Sequence, residues 1–294
     1  MKEVPDISIV VLNWNTSDLL TGALDSIVST TQGLNYDIVV IDNASTDGGF
    51  ERLSGKLMND PHFTFIQNEK NIGWAAINIM LENTSGKYIV TVDPDAIVHP
   101  NALQALFSFM EANPEAGAAT AKLLNSDGSL QMYYRKLMTP SEFFFTTLFG
   151  RFFDKYFLGL RRFKSYRYNG LDASDVVEVE QPAWPCLIWR REALGAYIVD
   201  ANIPFYFLDV DMSKRLYDSG YHIYLVPDAV ATHLKSVSFS RTKRDWKQKE
   251  YYRSLLVYLR KYYPLIFPAL WLLVQSDRLT RYLVFLLTGH EPLR

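Results

Sequence analysis

Apolar positions in the first hundred residues follow two alternating periods. "ISIVVLN" (Ile7 to Asn13) is a short β-branched run, the pattern of a strand buried on both faces. Leu19, Leu20, Ala23, Leu24, Ile27 and Val28 then recur at helical spacing, behind Thr16 or Ser17 as a cap. The alternation continues. "DIVVID" (Asp37 to Asp42) predicts a strand and "GGFERLSGKLMN" a helix with Phe50, Leu53 and Leu57 on one side. "FTFIQN" predicts a third strand, "GWAAINIMLEN" a third helix and "KYIVTVD" a fourth strand. Such alternation on short connections predicts an α/β fold, a mainly parallel, Rossmann-like sheet flanked by helices. Ligands bind such sheets at the carboxyl ends of the strands.

Polar residues gather at those ends. Asn13, Trp14 and Asn15 follow the first strand, Asp42, Asn43 and Ser45 the second, Asn68, Asn71 and Gly73 the third. The fourth ends in "DPD", Asp93 and Asp95 about a proline. Two neighbouring carboxylates can share Mg2+ or Mn2+, which keeps positions for substrate phosphates. The alternative is that one of them caps the helix starting near Pro100. The other three clusters on the same rim favour the ion. Neither G-x-G-x-x-G nor G-x-x-x-x-G-K-[ST] occurs, so a phosphate here needs another counter-charge.

Composition sharpens this picture. The 294 residues are 48% hydrophobic and 21% charged, which places the chain among globular proteins. The single cysteine, Cys186, has no internal partner and fits a reducing compartment. "MKEVPDISIVV" lacks the basic start and long apolar core of a signal peptide. The net charge of −2 conceals an asymmetry: residues 1–134 carry 6 Lys/Arg against 16 Asp/Glu, residues 135–294 carry 24 against 16. The basic half is also aromatic, above all in "FFFTTLFGRFFDKYFLGLRRFKSYRY" (Phe143 to Tyr168). "PLIFPALWLLV" and "YLVFLL" near the C-terminus are apolar but interrupted, too short to span a bilayer. Interfacial amphipathic helices, a core helix or a homo-oligomer contact are the readings open to them. No nucleic-acid-reading motif accompanies the charge.

Eight stretches together resemble family 2 glycosyltransferases of the GT-A fold, in their rhamnosyltransferase-like branch. They are "ISIVVLNWNTSDLLTGALDSI", "DIVVIDNASTDGG", "FIQNEKNIGWAAINIML", "GKYIVTVDPDAIVHPNAL", "KLLNSDGSLQ", "WRREAL", "FLDVDMSKRLYDSGYHIYLVPDAVATH" and "YYRSLLVYLRK". The resemblance implies a GT-A domain over residues 1–261, nucleotide-binding to about residue 100 and acceptor-side thereafter. Residues 262–294 would form an apolar, partly amphipathic helical appendage.

The resemblance also implies roles. Asp42 would bind the nucleobase, and Asn13 belongs to the same nucleotide-sugar rim. Asn71 and Gly73 would approach the ribose or diphosphate, the glycine sparing a side chain that would obstruct. Asp93 would face ribose and metal, Asp95 would ligate the metal, and His233 of "PDAVATH" would join it. Asp209 of "FLDVDMSKRL" would be the catalytic base; its bland alternative is capping a helix from Val210 to Ser219. Two departures stand out: Leu208 replaces the family's Glu before Asp209, and "PAWPC" puts Trp184 where a small Ser/Gly-rich turn is usual. Trp184 would stack on a sugar or fill core space.

The expected activity is metal-dependent (Mg2+ or Mn2+) inverting transfer of a sugar, rhamnose in the resembling branch, from a dTDP- or UDP-sugar. The acceptor would be a glycan or lipid-linked saccharide of a cell-surface polysaccharide. The expected place is the cytoplasmic side of the membrane, with peripheral contact. A nucleotidyltransferase and a catalytically degenerate nucleotide-sugar-binding scaffold are the alternatives.

Overall fold

A computed structural model of the chain describes residues 4–234 and 244–289. Among the described residues nine strands form one sheet: β1 (Ile7–Asn13), β2 (Tyr36–Asp42), β3 (Phe63–Gln67), β4 (Tyr88–Val92), β5 (Ala96–Val98), β6 (Ala116–Leu124), β7 (Val177–Glu178), β8 (Cys186–Arg190) and β9 (His222–His233). Their order is β3-β2-β1-β4-β8-β6-β9-β5, with β7 also on β9.

β3, β2, β1 and β4 are mutually parallel, as the alternating pattern predicts. From β8 on the sheet is mixed. β8 is antiparallel to β4 and to β6, β6 and β9 are parallel, and β5 and β7 run against β9. The expectation of a mainly parallel sheet therefore holds for its first half. Strands that meet from distant parts of the chain leave no local record of their relative direction.

The helices are α1 (Ser17–Thr30), α2 (Gly49–Leu57), α3 (Met80–Asn83), α4 (Ala102–Ala112), α5 (Pro140–Thr146), α6 (Leu148–Phe153), α7 (Arg162–Tyr166), α8 (Arg191–Leu194), α9 (Leu208–Asp218), α10 (Arg244–Tyr262) and α11 (Phe267–Thr288). β1, β2, β4 and β8 bury nearly every side chain beneath them, which supplies the main hydrophobic stabilisation. The expected third helix is mostly a 3₁₀ segment, Gly73–Ile79, leading into α3. Its Asn78 is turned to the backbone of Ile198 and Val199, pairing with three groups there.

Two close approaches set up the rim. The Asp47 carboxylate accepts from the Ser17 amide (3.1 Å) and hydroxyl (2.8 Å), closing the start of α1 from the next loop. The two chains come so near that a Cβ on Gly49 would lie 1.9 Å from that of Ser17. At the other end, α9 is tied to α10 through buried Asp211. Its carboxylate takes Arg215 (3.2 Å), Lys261 (2.6 Å) and the Tyr262 hydroxyl (2.8 Å).

Candidate active site

The parallel strands bring their carboxyl ends to one edge, with Asn13 beside Asp42 and Asp42 beside Gln67 in register. Asn13 and Asp42 are wholly buried there. Asn13 donates to Asp42 Oδ1 (2.7 Å) and to Ser45 (3.1 Å); the Ser45 amide donates to Asp42 Oδ2 (2.9 Å). Through these bonds both side chains brace the rim loop from beneath, and each Asp42 oxygen, accepting one of them, keeps further acceptor capacity. Buried Asn43 plays the same part, donating to Asn71 Oδ1 (2.9 Å) and the Gly73 carbonyl (3.0 Å) and accepting from Asn68 and Ile72.

The exposed rim above them is Trp14, Asn71 and Gly73. Gly73 has φ +65° and a Cβ there would meet open space, so the backbone turn, not crowding by neighbours, requires glycine.

Asp93 and Asp95 do not share a strand end. They sit in the turn from β4 to β5, where Asp93 N–H donates to the Pro185 carbonyl (3.0 Å) and Ala96 N–H to the Asp93 carbonyl (3.0 Å). β5 pairs with β9 so that Ala96 faces His233. The register thus carries His233 to the carboxylates from more than a hundred residues away. One ligand atom from each of Asp93, Asp95 and His233 lies within 4.8 Å of the others, and His233 Nε2 is 3.4 Å from Asp95 Oδ1.

Three groups fit a divalent ion. An octahedral ion with ligands at about 2.1 Å sets neighbouring ligand atoms about 3 Å and opposite ones about 4 Å apart, within reach of small side-chain rotations here. Burial, then the Asp95 charge, holds the Asp93 carboxyl above the ordinary carboxylate range, at about 6, while His233 pulls it down. A cation between them removes that cost.

Sequence reasoning missed the residue that aims the imidazole. Buried Gln131 donates through Nε2 to Asn125 Oδ1 (2.9 Å) and the His233 carbonyl (3.1 Å). Both partners are acceptors, so the amide oxygen must face His233 Nδ1, 2.7 Å away. Nδ1 then carries the proton and Nε2 offers its lone pair towards Asp95. The only hint in the sequence was Gln131 closing the stretch "KLLNSDGSLQ".

Asp209 lies in the first turn of α9, behind Phe207 (φ +68°) at the cap position, so it is not itself the cap. Its Oδ1 accepts from the Val210 amide (3.0 Å) and its Oδ2 from the Gln181 side chain. Burial raises its pKa against these hydrogen bonds and nearby Arg135. Leu208, in place of the family's Glu, is buried in the core. Asp211 is fully occupied by its ion pairs. Gln181, which holds Asp209, and Pro185, which takes the Asp93 amide, bound one five-residue segment, so that segment links base candidate and metal candidate.

Trp184 lies within that segment. It packs edge-on against Trp189 (5.7 Å) and Trp74 (6.3 Å), and its indole N–H has no hydrogen-bond partner among the described residues. Half-buried, it fills core space on one side and faces the rim's aromatic wall, Trp74 and Phe205, on the other. Cys186 is buried beside it, its thiol pushed up to about 12 by burial and then by Asp93.

The mixed sheet with an acidic turn at its carboxyl edge is the GT-A arrangement of glycosyltransferases. The family profile for Glycosyl transferase family 2 matches residues 8–173, and the chain belongs to that family. An uncharacterized glycosyltransferase of Haemophilus influenzae is 30% identical over 114 residues, 38% of this chain and 35% of that protein. A poly(ribitol-phosphate) beta-glucosyltransferase of Bacillus spizizenii is 31% identical over 110 residues, 36% of this chain and 17% of that protein. The chain thus spans well under half the length of these relatives. Among solved structures, GalNAc-T7 with UDP, GalNAc and Mn2+ superposes with a TM-score of 0.58 at 16% identity, over 81% of this chain and 45% of that one. The mannosyltransferase PcManGT of Pyrobaculum calidifontis with GDP-Man and Mn2+ gives 0.56 at 18% identity, over 88% and 64%.

Proposed function

We propose that the chain is a metal-dependent inverting glycosyltransferase that moves a sugar from a nucleoside-diphosphate sugar to a glycan or lipid-linked saccharide. The observation that carries this is the convergence of Asp93, Asp95 and His233 one short segment away from the isolated carboxylate of Asp209. Mg2+ or Mn2+ bound there would neutralise the diphosphate and favour its departure. The two Mn2+-bearing structural neighbours support that ion.

The remaining work falls to side chains. Asp42, with Asn13 beside it, takes the nucleobase, and Asn71 and Gly73, braced by Asn43, approach the ribose or diphosphate. Trp184 presents an apolar wall to a sugar ring. Asp209, its basicity raised by burial, takes the proton from the acceptor hydroxyl as that oxygen attacks the anomeric carbon. The finer reading is a dTDP- or UDP-linked donor, with rhamnose as the sugar. It rests on the motif resemblance, and the cell-surface polymer as product rests on the kinds of relatives matched. On the same reading residues 1–261 are the transferase unit, residues 262–294 an accessory to it, and the working place is the inner membrane face.

Asp209→Asn tests the assignment. It keeps shape and the Gln181 contact but removes the basicity. Transfer should fall about 10²–10⁴-fold while Mn2+-dependent UDP or dTDP affinity, read by calorimetry, stays level. Transfer near the parental rate would show that the base lies elsewhere. In the companion variant Asp95→Ala, metal-dependent nucleotide affinity should vanish with the fold intact, and unchanged affinity would remove the metal assignment.

A further inference from the structure

Helix α11 is inside out. The residues it buries include Asp277 and Arg281, along with Leu270 and Val274. Its exposed side chains include Trp271, Leu272, Leu279, Tyr282, Leu283, Leu286 and Leu287, the last 86% exposed. A helix made for water does the reverse. The buried charges are not stray. Arg281 donates to Asp277 (2.8 Å) and to the Thr146 carbonyl (3.0 Å). Asp277 also accepts from the Tyr252 hydroxyl (2.9 Å) and the Leu148 amide (3.1 Å). The polar stripe is therefore the glue that fastens α11 to α10 and to the start of α6.

The segment fastened there is itself apolar on its outside. Phe149, Phe152, Tyr156, Phe157 and Leu160 are each more than half exposed. Exposed cations accompany them, Lys155, Arg161 and Lys164, and residues 143–168 hold six Lys/Arg against one acid, the buried Asp154. Two such faces side by side far exceed the scattered apolar residues of an ordinary surface.

We propose that residues 149–160 and the outer face of α11 form one docking surface for an anionic lipid bilayer. Its aromatic and leucine side chains would enter the interface, and Lys155, Arg161 and Lys164 would meet the headgroup charge. Spanning is excluded for the described helices, none of which is long and apolar enough. A second copy of the chain fits less well, because a two-fold contact would set this basic patch against itself. The surface also has a use, which rests on the function proposed above. Its stem returns to the candidate base: Lys136 N–H donates to the Tyr166 carbonyl (2.9 Å), and Arg135 pairs with Gln181, which holds Asp209. A bilayer on this face would deliver a lipid-linked acceptor beside Asp209.

Sedimentation with vesicles of phosphatidylglycerol and phosphatidylcholine in equal parts, against phosphatidylcholine alone, reads the surface directly. The full chain should bind the anionic vesicles far better, and added salt should weaken that binding. Phe152→Ser with Phe157→Ser, or Leu283→Ser with Leu286→Ser, should each lower it about tenfold or more. Each cation removed, as in Lys155→Gln, should lower it about fivefold. All these side chains are exposed, so thermal unfolding and Mn2+-dependent UDP affinity should be unchanged. Equal binding to both vesicles, no binding, or a dimer that the serine variants dissolve would each overturn the proposal. Loss of UDP affinity in the parent chain would instead count against the transferase reading, leaving the vesicle result to stand by itself.

Discussion

At the scale of single residues, the site depends on protons being in particular places. The Gln131 amide is oriented by two acceptors, and it sets the proton on His233 Nδ1. Gln131→Leu should let the imidazole tautomers mix, visible in 15N spectra of the histidine ring, and should weaken Mn2+ about 10–100-fold. Gln131→Glu restores an acceptor and should recover the tautomer; a single unchanged tautomer in the leucine variant would remove Gln131 from the site. The second consequence concerns pH. Asp93, held at about 6 by burial and Asp95, must lose its proton to accept an ion. Its raised pKa means that the proton competes below about pH 6. Mn2+ affinity measured by calorimetry should therefore fall about tenfold per pH unit below that point and level off above it. Asp95→Asn removes the second cause and should lower the Asp93 midpoint in an ion-free titration.

At the scale of elements, the rim is made by how closely α1 and α2 start. Two glycines on α2 separate crowding from propensity. Gly49→Ala would place a Cβ 1.9 Å from that of Ser17, so the helix starts must part and the Asp47 cap with them. Urea unfolding should show a loss of about 1–3 kcal/mol. Gly55→Ala meets nothing within 4 Å in the same helix, and should gain about 0.5–1 kcal/mol. If the two variants behaved alike, helix propensity alone would be setting both.

At the scale of the molecule, charge and apolar surface are divided between the two halves of the chain. The acidic first half carries the candidate metal turn, and the basic second half carries the exposed aromatic face. Asp277 and Arg281, with side chains only 5% and 4% exposed, hold that face to the body. Arg281→Ala strands a buried carboxylate and should cost about 3–5 kcal/mol. Replacing both partners, Asp277→Asn with Arg281→Met, should cost less than either loss alone. A thermal or urea series of the two single variants and the double decides it, with additivity of the single losses as the adverse result.

Periodicity in the sequence was enough for β1 to β4 and for α1 and α2 between them, because each such element is set by side chains a few residues apart; the segment before β4 folds mostly as a 3₁₀ turn instead. That Asp93 and Asp95 lie near each other also reads from the sequence, since only Pro94 separates them. His233 entered by motif likeness alone. What placed it beside them was the register of β5 on β9, and only the fold joins those strands. The same holds for the antiparallel β8, for Gln131, and for the burial of Asn13 and Asp42, whose polarity reads from sequence as exposure to ligand. Polarity says that a side chain needs partners; packing decides whether these are protein, ion or substrate. The C-terminal helix shows this most plainly. Its sequence is an apolar run broken by charges, which suggests charges turned to water. The structure turns two of the three, Asp277 and Arg281, inward, because Tyr252, Thr146 and Leu148 offer the partners that satisfy them.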